Sequence, residues 1–324
     1  MDRYDKLIQS FTDSSDVSGQ GSVSRGHFLD MGFCPNPIIA NNPVKQNLYL
    51  ADGYFSQGEL LLSFSPYMRG QHPGVLISDE QIASRFDLIS EHVNGIRVFS
   101  VKDGNERSIE LAKSKDKSVM VGVDIGSDQN ENYAQLDNTL RSLSNDAVDI
   151  LAIGNEVLLR GELSVDQLIE LIAEAKRRVP ELQIGYVDAY FVFENYPELV
   201  DVCDVILINC YPFWEYCPVD LAIDHLDSMY ERAVAVSKGK QVIVAETGWP
   251  SQGESYGLAE PGFENALGYF VAAMEWSQRK AVDMYYFAAF DESWKMSDEG
   301  GVGAYWGLWD EMGQRKFTLE NYPS

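Results

Sequence analysis

The chain is poor in cysteine, in histidine and in positive charge, and it has no long apolar run. The four cysteines among 324 residues are Cys34, Cys203, Cys210 and Cys217. Their spacing is not that of a zinc site. Cys203 and Cys210 flank one predicted strand, so they should not bridge each other. Free thiols are expected, as suits a reducing compartment. The four histidines, His27, His72, His92 and His225, have no ligand spacing. No metal and no cofactor is therefore expected. No apolar run approaches the ~18–20 residues of a membrane span. The opening MDRYDKLIQSFTDSSD lacks the apolar stretch of a signal peptide, and the compartment stays open. There is no internal repeat and no low-complexity tract.

Basic residues number 25 against 50 acidic ones, a net charge of −25. Such a surface repels nucleic acid and anionic lipid, and it disfavours polyanionic sugars. A neutral partner and a monomeric chain are the expectations. Apolar residues make up 45% of the chain, enough for a large core.

From residue 59 strands and helices alternate regularly, which predicts parallel α/β architecture. Strands are predicted at 60–64, 96–99, 119–125, 150–153, 183–187, 205–209, 242–245 and 284–290. Helices are predicted at 79–93, 106–114, 131–144, 164–179, 197–200, 221–236 and 260–279. Eight strands suit a closed barrel. The fold class is thus α/β, a (β/α)8 TIM barrel over residues 58–324 with an N-terminal extension, residues 1–57, packed on it. Within the extension Tyr4 to Phe11 suits a short helix. Residues 12–26 read as loop, and residues 34–47 as irregular because of their three prolines. Phe28, Met31, Phe33, Ile38 and Ile39 are too apolar to stay in water. The expected seat of 28–57 is the N-terminal mouth of the barrel, with the opposite face as the alternative.

Two apolar runs end in a glutamate. Ile150 to Ile153 stops at Gly154, and Asn155-Glu156 follow at once; Val242 to Ala245 leads straight into Glu246. The C-terminal ends of parallel barrel strands carry the chemistry of such folds. Two carboxylates there suggest glycoside hydrolysis, one as acid/base and one as nucleophile. Other strand ends bring Ser65-Pro-Tyr67-Met-Arg69, Arg97, Asn209-Cys-Tyr211 and Phe290-Asp-Glu292 to the same face.

The segments GNEVLLRG (154–161), NCYPFWE (209–215), ETGWPS (246–251), FDESWK (290–295) and EGGVGAYWGLWD (299–310) occur in this order. Together they resemble family 17 of the glycoside hydrolases, the β-1,3-glucanase family, and its bacterial branch in particular. The resemblance covers roughly residues 59–317. It implies that Glu156 is the acid/base and Glu246 the nucleophile of a retaining reaction, and that Glu292 and Lys295 lie near them. The acid needs a raised pKa, from burial and from the charge of Glu246. The nucleophile needs hydrogen-bond donors, for which Tyr211 and either Arg69 or Arg97 are candidates. Asn155 should hold the sugar 2-hydroxyl.

Tyr67 and the aromatics after strands six to eight complete the set of expected sugar-binding residues. Phe213, Trp214, Trp249, Trp294, Trp306 and Trp309 follow those strands, and two or three of the six should line subsites while the rest pack. Phe213, Trp214, Trp249 and Trp306 are the named candidates. The expected activity is cleavage of laminarin-type β-1,3-glucan. The alternatives are transfer to another sugar on the same scaffold, or glucan binding without catalysis.

Overall fold

The computed structural model describes residues 23–143, 148–320 and 322. The predicted helix at Tyr4–Phe11 and most of the predicted loop at 12–26 lie outside these residues. Eight parallel strands close a barrel in sequence order: β1 Leu60–Ser63, β2 Val93–Val98, β3 Ser118–Val123, β4 Ile150–Asn155, β5 Gln183–Ala189, β6 Val205–Asn209, β7 Val242–Thr247 and β8 Met284–Tyr286. Alternation along the strands separates two cores. Met120, Ile150, Ala152, Val187, Val205, Leu207, Ile243, Ala245 and Tyr285 fill the barrel. The intervening residues, such as Val121, Leu151, Tyr186, Ile206 and Val244, pack outward under the helices. Strand burial on both faces explains the unbroken apolar runs.

The helices start where local chemistry allows. Ser78 caps Asp79–Ile89, Asp128 caps Gln129–Ser142, and Ser164 forms a capping box with Gln167 on Val165–Arg178. The helix before β2 ends four residues earlier than its pattern predicts, and β2 begins at Val93. A helix at Tyr190–Asn195, absent from the sequence reading, follows β5 directly.

Residues 34–47 are more regular than their prolines suggest. Helices run over Arg25–Asp30 (α1), Pro37–Asn41 (α2) and Val44–Gln57 (α3). Pro37 stands at the start of α2, where Asn36 accepts from the Ile38 N–H, and Pro43 stands just before α3. Proline is tolerated there because the first helical N–H groups have no partner within the helix. No long helix follows β8 in the described residues. Helix α3 takes that place. It packs along Phe263–Lys280, the helix after β7, with Gln57 bonded to Gln278 near both C-termini. It thus descends parallel to its neighbour, as the outer helices of a barrel do. Residues 44–57 therefore lie on the outer wall, not at the N-terminal mouth. Phe55 is the anchor: it stacks on Phe270 at 5.4 Å, meets Trp309 edge-on at 5.3 Å and carries the Arg315 guanidinium 4.7 Å above it. Phe55→Ala should cost about 3–5 kcal/mol in urea unfolding. A cost below about 1 kcal/mol would show that α3 is a dispensable appendage.

Candidate active site

Strict alternation would point Glu246 outward, because Ala245 before it faces the barrel interior. A register shift prevents this. Ile208 pairs with Val244 but Asn209 with Glu246, so two steps of β7 match one of β6. The same device acts in β4, where Ala152 pairs with Gly185 and Asn155 with Val187. Bulges of this kind re-aim side chains. Asn155 joins the inward face of Val187. Gly154 adopts φ 86°, and a Cβ there would stand 2.9 Å from Ile125 Cδ1. Glu156 itself has φ 56°, costly for a residue with a side chain. Its N–H donates to Val187 O at 2.8 Å, and its carbonyl accepts from Arg160 N at 2.9 Å.

These ends converge on one polar cluster. Arg97, inward-facing on β2 and 1% exposed, donates from Nη1 to Glu246 Oε1 at 2.5 Å and to Ala245 O at 3.0 Å. Its Nη2 donates to Asn155 Oδ1 at 3.0 Å. Tyr211 donates its hydroxyl to Glu246 Oε2 at 2.6 Å. Asn209 Nδ2 donates to Glu156 Oε1 at 2.9 Å and lies 3.3 Å from Asn155 Oδ1. Both glutamates are buried. Glu246 is bound by a cation and a phenol, and the neutral Asn209 amide is among the groups that hold Glu156.

The BtgE/BtgC glycoside hydrolase domain model matches residues 62–307. A glucan 1,3-beta-glucosidase of Arthroderma benhamiae is 28% identical over 258 residues, 72% of this chain and 82% of its own. Among solved structures, a glycoside hydrolase family 17 β-1,3-glucanosyltransferase of Rhizomucor miehei superposes with a TM-score of 0.72. It is 26% identical, covering 81% of this chain and 96% of its own. The chain belongs to glycoside hydrolase family 17. An endo-laminarinase from Formosa, 17% identical over 81% of this chain and 86% of its own, shares the fold at a TM-score of 0.69.

This family 17 glycosidase has an asymmetric site. A cleft of about 300 Å³ opens over the ends of β1 to β4, β7 and β8 and is lined by Phe64, Tyr67, Arg97, Phe99, Asn155, Arg160, Glu246, Phe287, Glu292, Trp294 and Lys295. A small pocket of about 20 Å³ lies on the other side, between Glu156, Leu159, Asn209, Tyr211, Trp214 and Glu215. Lys295 pairs with Glu292 at 2.6 Å and stands 4.0 Å over the Phe287 ring.

Several expected site residues lie elsewhere. Arg69 follows a turn out of the cleft, is 84% exposed at its side chain and pairs with Glu311. The guanidinium at Glu246 is Arg97. Phe213, Trp249 and Trp306 pack on one another behind the site, with Trp306 edge-on to Tyr211 at 5.4 Å. Trp309 is core under Phe55. Large aromatics after a strand fill the space between loops as readily as they face a ligand. Of the six, Trp294 and Trp214 reach the cavities. Phe99, Phe287 and Arg160 also line the cleft and were not expected there, and Asn209, expected only at the catalytic face, bonds Glu156. Asn209 carries a signal, as the polar end of an apolar strand beside Cys210-Tyr211; Phe99 and Phe287 look like any strand aromatic.

Arg97→Met would leave the Glu246 carboxylate buried without its cation. The loss should be about 3–5 kcal/mol in denaturant unfolding. Arg97→Met combined with Glu246→Gln should recover most of it, because the uncompensated charge is gone. Purely additive losses would mean that the two side chains do not depend on each other.

Proposed function

We propose that this enzyme cleaves β-1,3-glucosidic bonds of neutral, laminarin-type glucan by double displacement with retention. The observation that carries the assignment is the difference between the two carboxylates. Glu246 has the Arg97 guanidinium and the Tyr211 hydroxyl on its two oxygens. Both donors fix its oxygens, and the guanidinium offsets its charge, as a nucleophile needs. Glu156 receives a hydrogen bond from the neutral Asn209 amide, a donor that bonds a carboxyl in either protonation state. In this reading the sugar under attack sits in the large cleft above Glu246. Its apolar C–H faces stack on Trp294, Phe99 or Phe287, and Tyr67, Glu292 and Lys295 hold its hydroxyls. Asn155, fixed by Arg97, takes the 2-hydroxyl, where a hydrogen bond strengthens in the transition state. Glu156 protonates the departing oxygen at the small-pocket side, next to Trp214, and then activates the incoming water.

A second reading is favoured by the likeness to the Rhizomucor glucanosyltransferase. The glycosyl-enzyme is then intercepted by a sugar hydroxyl instead of water. The same two carboxylates serve both outcomes. Chromatography of products from reducing-end-labelled laminari-oligosaccharides separates them: products longer than the substrate mark transfer.

Azide tests the roles. Glu246→Ala should lose hydrolysis and be partly rescued by azide, giving an α-linked glucosyl azide by a single displacement. Glu156→Ala should give the β-linked azide through the covalent intermediate. A β-azide from the Glu246 variant would mean that the two roles are exchanged. Glu156→Gln should lower kcat/KM on glucan by about 10²–10⁴ but have far less effect on a dinitrophenyl β-laminaribioside, whose leaving group needs no proton.

A further inference from the structure

Asp188 has no part in the chemistry described so far, yet it is fully buried against the turn that follows Glu156. It shares the outer face of β5 with Tyr186. Its Oδ1 accepts from Ala189 N at 2.8 Å. Its Oδ2 accepts from Leu159 N at 3.3 Å and from the Tyr186 hydroxyl. That hydroxyl in turn accepts from Leu158 N at 2.9 Å. Asp188 and Tyr186 thus fasten the backbone two and three residues after Glu156. A left-handed Glu costs on the order of 1–3 kcal/mol and persists only where its surroundings fix it.

Charge gives Asp188 a second effect. The negative charge of Glu246 is offset by Arg97 at 2.5 Å. All three donors to Asp188 are neutral. The ionisable groups that act on it are Glu156 and Tyr186. A carboxylate at Asp188, with neutral donors on both oxygens, is therefore a negative charge that acts on the acid, a part the sequence assigned to Glu246; Glu215, which also lines the small pocket, is bonded to His225 Nε2.

We propose that Asp188 is the positioning residue of Glu156: it clamps the strained turn that carries the acid, and it holds the negative charge of the pair so that the proton stays on Glu156. This rests on Glu156 being the acid/base. Two interacting buried carboxyls titrate as a pair. Burial first, and the charge of Glu156 second, push Asp188 up to about 7. Below that pH the pair keeps one proton. The three donors to Asp188 oppose that rise by bonding its ionised form, and in this proposal the shared proton therefore resides on Glu156. The rate on glucan should then fall on the basic side, where the pair gives up its last proton.

The test is the pH profile of kcat/KM on laminarihexaose. Asp188→Asn removes the charge and should move the basic limb down by about one pH unit or more, leaving the acidic limb in place. A uniform loss at every pH, with the basic limb unmoved, would make Asp188 merely structural and overturn the proposal. Tyr186→Phe is the second variant, decisive if Asp188→Asn does not fold. Loss of a donor to the charged form should move the basic limb upward and lower the plateau; an unmoved limb overturns the proposal. The dinitrophenyl substrate separates the two ideas. If Glu156→Gln loses as much on it as on glucan, the acid/base reading of Glu156 fails, whatever Asp188 does.

Discussion

The buried contact between Arg97 and Glu246 is the constraint on which the site is built. It joins β2 to β7, and the second arm of the same guanidinium reaches Asn155 on β4. Three strands far apart in sequence are thereby locked in one geometry. Desolvating two charges costs several kcal/mol, and the mutual attraction offsets it only with good geometry and further hydrogen bonds. Tyr211 and the Ala245 carbonyl supply those bonds. The arrangement costs stability that the surrounding barrel must cover, and it yields a carboxylate fixed for attack.

The barrel covers that cost through two separate cores and an outer ring of helices. The ring is completed from the wrong end of the chain: α3 precedes β1 but lies where a helix after β8 would lie. Its contacts to Phe270 and Trp309 tie the first described segment to the last third of the chain. Arg25 and Cys34 N–H reach Asp220 and Asp224 at the start of the helix Ala222–Val236. The tail after β8 is released to form loops instead. Those loops carry Glu292, Trp294 and Lys295 to the cleft.

Backbone strain at the end of β4 serves the site. Gly154 and Glu156 both take positive φ at the end of β4, flanking Asn155. Two consecutive side chains on a regular strand face opposite ways. Here Asn155 reaches Arg97 and Glu156 reaches Asn209, within one cluster. The neighbouring strand β5 holds the distortion in place through Val187, Tyr186 and Asp188.

By itself the sequence determined the barrel, the order of its strands, and the two glutamates at their ends. Those rest on local signals: apolar runs of strand length, caps before helices, and motifs whose residues adjoin. Even there, Pro37 and Pro43 misled, since a proline that starts a helix looks in sequence like one that prevents it. The tertiary structure alone decided which arginine meets Glu246, which aromatics face the cleft, and what stands behind Glu156. Arg97 lies in the second strand and Arg69 follows the first, and only the barrel's closure brings Arg97 to a partner 149 positions away. Trp249 and Trp294 are equally apolar and equally near a strand end, but one is enclosed by Phe213 and Tyr269 and the other borders a cavity. Asp188 stands within an apolar strand pattern, and its meaning depends on a turn in the preceding strand. Propensity and periodicity act over a few residues, whereas charge, packing and register act between neighbours in space, and those neighbours exist only once the barrel has closed.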